Sequence, residues 1–198
     1  MKTSTPAFDR DYYRRFYLEP RTAVTSTQEM NALGNFIAAY TQRIGLPVKR
    51  ILDAGCGIGL LRAPLLKQLP RAAYVGVEVS EYLCERYGWE HSTVQDFRAT
   101  HPFDLVVCYD ILQYLDEGEV TRACTNLARL CRGVLFFSAL TAEDWKENCD
   151  QRRTDSNVML RPAEWYRRRL RRQFREIGAG FWLRRSAPLT VWELETVS

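Results

Sequence analysis

The chain has 198 residues, 46% of them hydrophobic, and a formal net charge of +4. That is enough apolar material for one sizeable core within the usual range of a single domain. No run approaches the roughly 18 apolar residues that cross a bilayer, and the opening residues lack the apolar stretch of a secretion signal, so membrane and secreted classes are argued against and a soluble, cytoplasmic protein is expected.

Residues 1–25 are polar and aromatic, with Tyr12, Tyr13, Phe16 and Tyr17 beside Arg14 and Arg15, and show no sustained period. They are expected to form an arm or lid, leaving 26–198 as a single domain. Ser26 and Glu29 have capping-box spacing, and Met30, Leu33, Ile37, Tyr40 and Ile44 then recur at three and four before Gly45, which predicts an amphipathic helix with its stop. Strand and helix patterns alternate from there: strand 48–54, helix 60–69, strand 73–79, helix 80–87 and a weaker strand 91–95. The fourth strand is 103–109. A helix face follows through Val120, Ala123, Leu127, Leu130 and Cys131, then a fifth strand, 133–139.

Five such β/α steps imply a parallel sheet. Residues 141–160 read as irregular. Pro162 opens a helix whose apolar line is Tyr166, Leu170, Phe174 and Ile177, closed by Gly178. Residues 181–185 and 190–196 have the spacing of a terminal hairpin. The expected fold is α/β and Rossmann-like: a seven-stranded, mostly parallel sheet with an antiparallel C-terminal hairpin strand and helices on both faces.

Six cysteines lie far apart with no C-x-x-C pair, and the histidines are His91 and His101 alone. No metal site and no disulfide framework is indicated, and the thiols are expected to act as small hydrophobes. Residues 161–175 carry seven arginines and one acid, a charge of +6 that leaves −2 for the rest of the chain. This segment reads as one helix with a solvated face. A nucleic-acid partner is disfavoured because a phosphate footprint spans more than one element.

The most informative run is Ile51-Leu52-Asp53-Ala54-Gly55-Cys56-Gly57-Ile58-Gly59. An apolar strand ends in an acid, and alternating glycines lead into a helix, letting backbone approach a ligand closely. Glu78 ends the next strand about 20 residues on, where an acid receives ribose hydroxyls. A dinucleotide loop wants glycine where Leu60 stands, and Asp53 would face a diphosphate with like charge. Adenosylmethionine carries a sulfonium and an ammonium instead.

These residues resemble the first two motifs of the class I S-adenosylmethionine-dependent methyltransferases. Val94-Gln95-Asp96-Phe97 is similar to the family's segment after strand three, which implies that Asp96 meets the adenine amino group and that its neighbour packs near the ring. The stretch 103–115 resembles the fourth-strand motif, whose end lines the methionine part of the ligand. The resemblance covers about residues 48–139. It implies S-adenosyl-L-methionine as cofactor, S-adenosyl-L-homocysteine as product, and a cofactor site at Asp53, Gly55, Cys56, Gly57, Glu78, Val79, Gln95, Asp96, Phe97 and Tyr109. The chain departs from quinone-pathway members, which carry histidine where Tyr114 stands.

Methyl transfer is an in-line displacement at an activated sulfonium, so alignment supplies most of the rate and no dedicated base is obligatory. Asp110, Gln113 and Tyr114 are candidates near the strand ends, and no catalytic residue is assigned. The absence of an N/D-P-P-Y/F run and of a Pro-Cys or Thr-Cys nucleophile disfavours the corresponding base methylations. A small polar acceptor is expected under the arm and the 141–160 loop, with Arg152 or Arg153 pairing with an acceptor carboxylate. The alternatives are an RNA or protein methyltransferase and a cofactor-binding regulator without turnover; a nicotinamide-dependent oxidoreductase is a weaker rival.

Overall fold

The computed structural model describes residues 8–193. Seven strands form one sheet: β1 (Arg50–Ala54), β2 (Ala73–Glu78), β3 (Glu90–His91), β4 (Phe103–Tyr109), β5 (Cys131–Ser138), β6 (Phe174–Glu176) and β7 (Phe181–Arg184). Their order is β3-β2-β1-β4-β5-β7-β6, and β7 alone runs antiparallel to its neighbours. The order reverses between β1 and β4. In such a sheet the crevice beyond the carboxyl ends of those two strands is where ligands bind.

Alternation along the strands sorts the core into two layers. Leu52, Val106, Cys108, Leu135 and Phe137 face α5 (Glu117–Leu130) and α7 (Ala163–Leu170). Ile51, Leu105, Val107, Val134 and Phe136 face α2 (Thr27–Arg43) and α3 (Arg62–Gln68). Both faces of the central strands are therefore buried, which is why they read as continuous apolar runs. The capping box at α2 forms as expected: Glu29 N donates to Ser26 Oγ (3.2 Å) and Ser26 N to Glu29 Oε2 (2.7 Å). Asp116 and Glu119 build a second one at α5. Pro64 falls in the first turn of α3, where its missing N–H costs nothing.

At the amino end of β4 a buried acid ties three strands together. Asp104 Oδ2 accepts from Lys49 N (2.8 Å) and Arg50 N (2.9 Å), while Oδ1 takes Arg132 Nε at 2.7 Å. These bonds and the salt bridge hold its carboxyl below its ordinary range against the cost of burial.

Several expectations are corrected. Residues 161–175 are not one helix: α7 stops at Leu170, and Phe174–Glu176 is the edge strand β6. The terminal hairpin is therefore β6–β7 rather than 181–185 with 190–196. Residues 190–192 carry no strand, and 194–196 lie outside the described residues. The third strand covers only Glu90–His91, with turns replacing the rest of 91–95. The 141–160 stretch contains a short helix, α6 (Ala142–Glu147). Near the amino end, α1 (Arg10–Tyr13) continues into a π-helical turn, Arg14–Leu18. α4 (Glu81–Tyr87) links β2 to β3.

All six cysteines are unbonded thiols. Burial pushes Cys124 up to about 11 and Cys131 up to about 12, so neither is a nucleophile at neutral pH. Among the described residues no helix is long and apolar enough to cross a membrane.

Candidate cofactor and acceptor cleft

At the carboxyl end of β1 the chain turns off the sheet. Gly55 adopts φ +79°, and a Cβ there would collide with Ile111 Cδ1, so both the turn and the close approach require glycine. Gly55 N and Cys56 N both donate to Val77 O, at 2.8 and 3.0 Å, which pins the loop to β2. Trp89 braces it from below, donating Nε1–H to Gly57 O at 3.0 Å.

Glu78, at the end of β2, organises the loop's other side. Its Oε2 accepts from Gly57 N (2.8 Å), and its Oε1 accepts from Val79 N (2.8 Å), Ser80 N (3.1 Å) and the Tyr13 hydroxyl (3.3 Å). Asp53 is 3% exposed, and its Oδ2 takes the Tyr74 hydroxyl at 2.6 Å. Burial pushes its carboxyl up to about 6, with Glu78 adding to the rise and the Tyr74 bond opposing it.

Around these groups lies a two-lobed cleft. The larger lobe, about 560 Å³, is lined by Asp53, Tyr109, Asp110 and Gln113 and by residues of the 148–158 loop. The smaller, about 440 Å³, is lined by Glu78, Val79, Ser80, Thr93 and Gln95. Tyr12, Tyr17, Gly55, Gly57, Asp110, Ile111 and Tyr114 line both, so the N-terminal tyrosines partition one space. Gln95 Oε1 is buried without a hydrogen-bond partner, as is Gln113 Oε1. A buried acceptor left unpaired costs about 1–3 kcal/mol, which makes both positions receptive to a ligand donor.

Asp110 follows β4 with φ +56°, a conformation that aspartate tolerates better than most residues. Its N donates to Ser138 O (3.0 Å) and its Oδ1 accepts from Ser138 Oγ (3.0 Å). Burial pushes its carboxyl up to about 6. The next turn is fastened from outside: Arg161 donates to Leu115 O (2.6 Å) and Leu112 O (3.3 Å) and lies 4.6 Å over Trp165.

Of the ten residues singled out from the sequence, Asp53, Gly55, Cys56, Gly57, Glu78, Val79, Gln95 and Tyr109 line the cleft. Asp96 and Phe97 do not: Asp96 is exposed with Oδ2 accepting from Thr93 Oγ1 (2.7 Å), and Phe97 packs on the core. Of the two loop arginines only Arg153 reaches the larger lobe. Tyr13, Tyr74, Ile111 and Trp89 carry contacts that sequence reasoning missed; the aromatic clustering of 12–17 was the one available signal. Among the arginines of 161–175, Arg167, Arg169 and Arg171 are paired with Glu176, Glu117 and Glu164.

Residues 52–133 match the sequence family described as a methyltransferase domain. Over that span the chain is similar to methyltransferase domains. It is 31% identical over 113 residues to the ubiquinone biosynthesis O-methyltransferase of Hahella chejuensis, covering 50% of this chain and 46% of that protein. With the protein of the same name from Thiobacillus denitrificans, identity is 32% over 136 residues, covering 62% and 56%. The chain thus spans about half the length of the curated relatives it matches. Among solved structures, the N-methyltransferase NodS from Bradyrhizobium japonicum WM9, in complex with S-adenosylhomocysteine, superposes with a TM-score of 0.60 at 18% identity, covering 91% of this chain and 100% of that one. Magnesium protoporphyrin IX methyltransferase from Synechocystis PCC 6803, with bound S-adenosylmethionine, gives 0.57 at 19%, covering 88% and 87%. These likenesses show the fold alone.

Proposed function

We propose that the chain transfers a methyl group from S-adenosylmethionine to a small polar acceptor, with the cofactor spanning both lobes and residues 8–25 acting as the lid. The observation that carries this is electrostatic. The acids lining the smaller lobe are Asp9, Glu78, Glu81, Asp110 and Glu119, with no lysine or arginine among the described residues, and the larger adds Glu29, Asp53, Asp150 and Asp155 against one arginine. A diphosphate would meet like charge there, whereas a ligand bearing a sulfonium and an ammonium meets opposite charge.

The donor set fits that ligand. Asp53 receives the ammonium, Glu78 the ribose hydroxyls, and the unpaired Gln95 Oε1 the adenine amino group, beside the exposed Val79. The cofactor supplies an activated methyl group. The chain's own residues orient the acceptor and exclude water, as the tyrosine-rich lid is built to do. The relatives named as O-methyltransferases of ubiquinone biosynthesis act on a small molecule by that name, which favours the same class here.

Calorimetric titration with S-adenosylhomocysteine, beside NAD, tests the reading. Micromolar binding of the former, weakened at least tenfold in Glu78→Ala, is expected. Preference for NAD would overturn the assignment of the glycine loop.

A further inference from the structure

The larger lobe is chemically lopsided. Besides Asp53, which the cofactor engages, it presents Glu29, Asp110, Asp150 and Asp155 against a single cation among the described residues, Arg153, whose Nη2 donates to Pro20 O at 3.4 Å. An acceptor carrying a carboxylate, phosphate or phenolate would face net like-charge repulsion. A cation is drawn in, and the rings of Tyr12, Tyr17, Tyr109 and Tyr114 offer it π faces.

A second, independent feature points the same way. Gln113 is 3% exposed and lines this lobe; its Nε2 donates to Asp110 O (2.9 Å), leaving Oε1 without a partner. That oxygen can only accept, so it calls for a ligand N–H or O–H beside Asp110. A carboxylate or phosphate dianion supplies neither, and an ammonium supplies three donors.

We propose that the acceptor is an amine, received as its ammonium between Asp110, Asp155 and Gln113 Oε1 and methylated on nitrogen. This rests on the methyl-transfer reading above and deepens it. The ammonium gives one proton to the Asp110 carboxylate. The freed nitrogen lone pair forms the new N–C bond as the S–C bond breaks. That bonding pair stays on sulfur, which becomes a neutral thioether, and the positive charge passes to the N-methylated ammonium. The loop arginine then serves to tie the 148–158 segment to the arm, rather than to bind an acceptor carboxylate.

The test uses matched probes on the full chain. S-adenosylhomocysteine binding is measured first, and its absence would sink the methyl-transfer reading itself. With the protein saturated by that ligand, tyramine, benzylamine and putrescine are titrated beside 4-hydroxyphenylacetate, benzoate and succinate. The proposal expects at least one amine to bind tenfold tighter than its carboxylate counterpart, and an Asp150→Asn/Asp155→Asn variant to lose most of that advantage while keeping its S-adenosylhomocysteine affinity. With methyl-labelled cofactor and tyramine, label is expected on nitrogen. Label on the phenolic oxygen, or carboxylates binding as well as every amine, would overturn it, as would no amine binding to the loaded protein.

Discussion

The Tyr13 hydroxyl donates to Glu78 Oε1 across 3.3 Å, placing a side chain of the arm on the carboxylate assigned to the ribose. The remaining bonds to Glu78 come from the backbone amides of Gly57 in the glycine loop and of Val79 and Ser80 in the turn after β2, so the tyrosine is the partner a ligand hydroxyl can replace without unfolding anything. Tyr13→Phe is expected to bind S-adenosylhomocysteine as tightly as the parent or up to several-fold more tightly, since one competing bond worth about 1 kcal/mol is removed. Calorimetry decides it; a tenfold loss would mean that Tyr13 aids binding.

Asp53 makes the protein sensitive to pH. A carboxyl raised to about 6 in the folded chain, against about 3.9 unfolded, keeps its proton longer when folded. The stability linked to that proton is fully present below pH 4 and is lost as pH rises through 6. Asp110, also raised to about 6, acts in the same sense, whereas Asp104 and Asp144, both lowered, act in the opposite sense and in a more acidic window. Asp53→Asn is therefore expected to flatten the fall in stability between pH 4 and 6 and to unfold at a higher temperature than the parent at pH 7.5. Thermal melts across that range, without ligand, check the sign.

The same group should couple ligand binding to protons. Pairing with a ligand ammonium favours the carboxylate, so S-adenosylhomocysteine is expected to bind more weakly at pH 5 than at pH 7.5 and to release protons near pH 6. Titrations in buffers of different ionisation enthalpy measure that release, and Asp53→Asn should reduce it to what Asp110, raised to about 6 in the same cleft, contributes.

Much of this arrangement was legible in the chain. The central strands announce themselves because two-sided burial leaves no polar alternation to blur them, and Glu78 is found by its distance from the loop. Phe174 and Ile177 mislead because they continue the three-and-four spacing of Tyr166 and Leu170, while the pairing of Phe174 with Arg184 is a tertiary fact with no local signature. Asp96 misleads for a similar reason. Thr93 captures its carboxylate and turns it outward, leaving Gln95 facing the cleft. The arm is hardest to read, since Asp9 caps a helix of only four residues before a π-helical turn that has no simple period.

Gly59 has φ +78°, and a Cβ there would stand 2.6 Å from Trp89. Gly59→Ala combines the cost of that conformation, roughly 1–2 kcal/mol, with displacement of the ring that holds Gly57 O. A destabilisation of about 2–3 kcal/mol is expected by chemical denaturation, together with weaker S-adenosylhomocysteine binding. Trp89→Leu in the same chain should recover part of the stability and none of the loop's lost hydrogen bond.

Arg161 acts on the cleft from behind, through the carbonyls of Leu112 and Leu115 that flank Gln113 and Tyr114. Arg161→Ala is expected to lower kcat about tenfold once an acceptor is in hand, with S-adenosylhomocysteine affinity nearly unchanged. Arg161→Lys should not rescue it, because an ammonium cannot span two carbonyls and stack on Trp165 together. A uniform loss of stability and cofactor affinity would instead mark the residue as purely structural.

Asp104 clasps the central strands at their amino ends, away from the cleft at their carboxyl ends, and this separation bears on how the protein can change. Mutations that weaken the Asp104 clasp would show in yield and half-life while the turnover of surviving molecules stayed the same. Substitutions in the 148–158 loop and the arm would alter selectivity at little cost to folding. A lineage built this way can trade one acceptor for another without first buying stability, and a directed search for new acceptors should sample those two segments and leave the amino ends of the central strands intact.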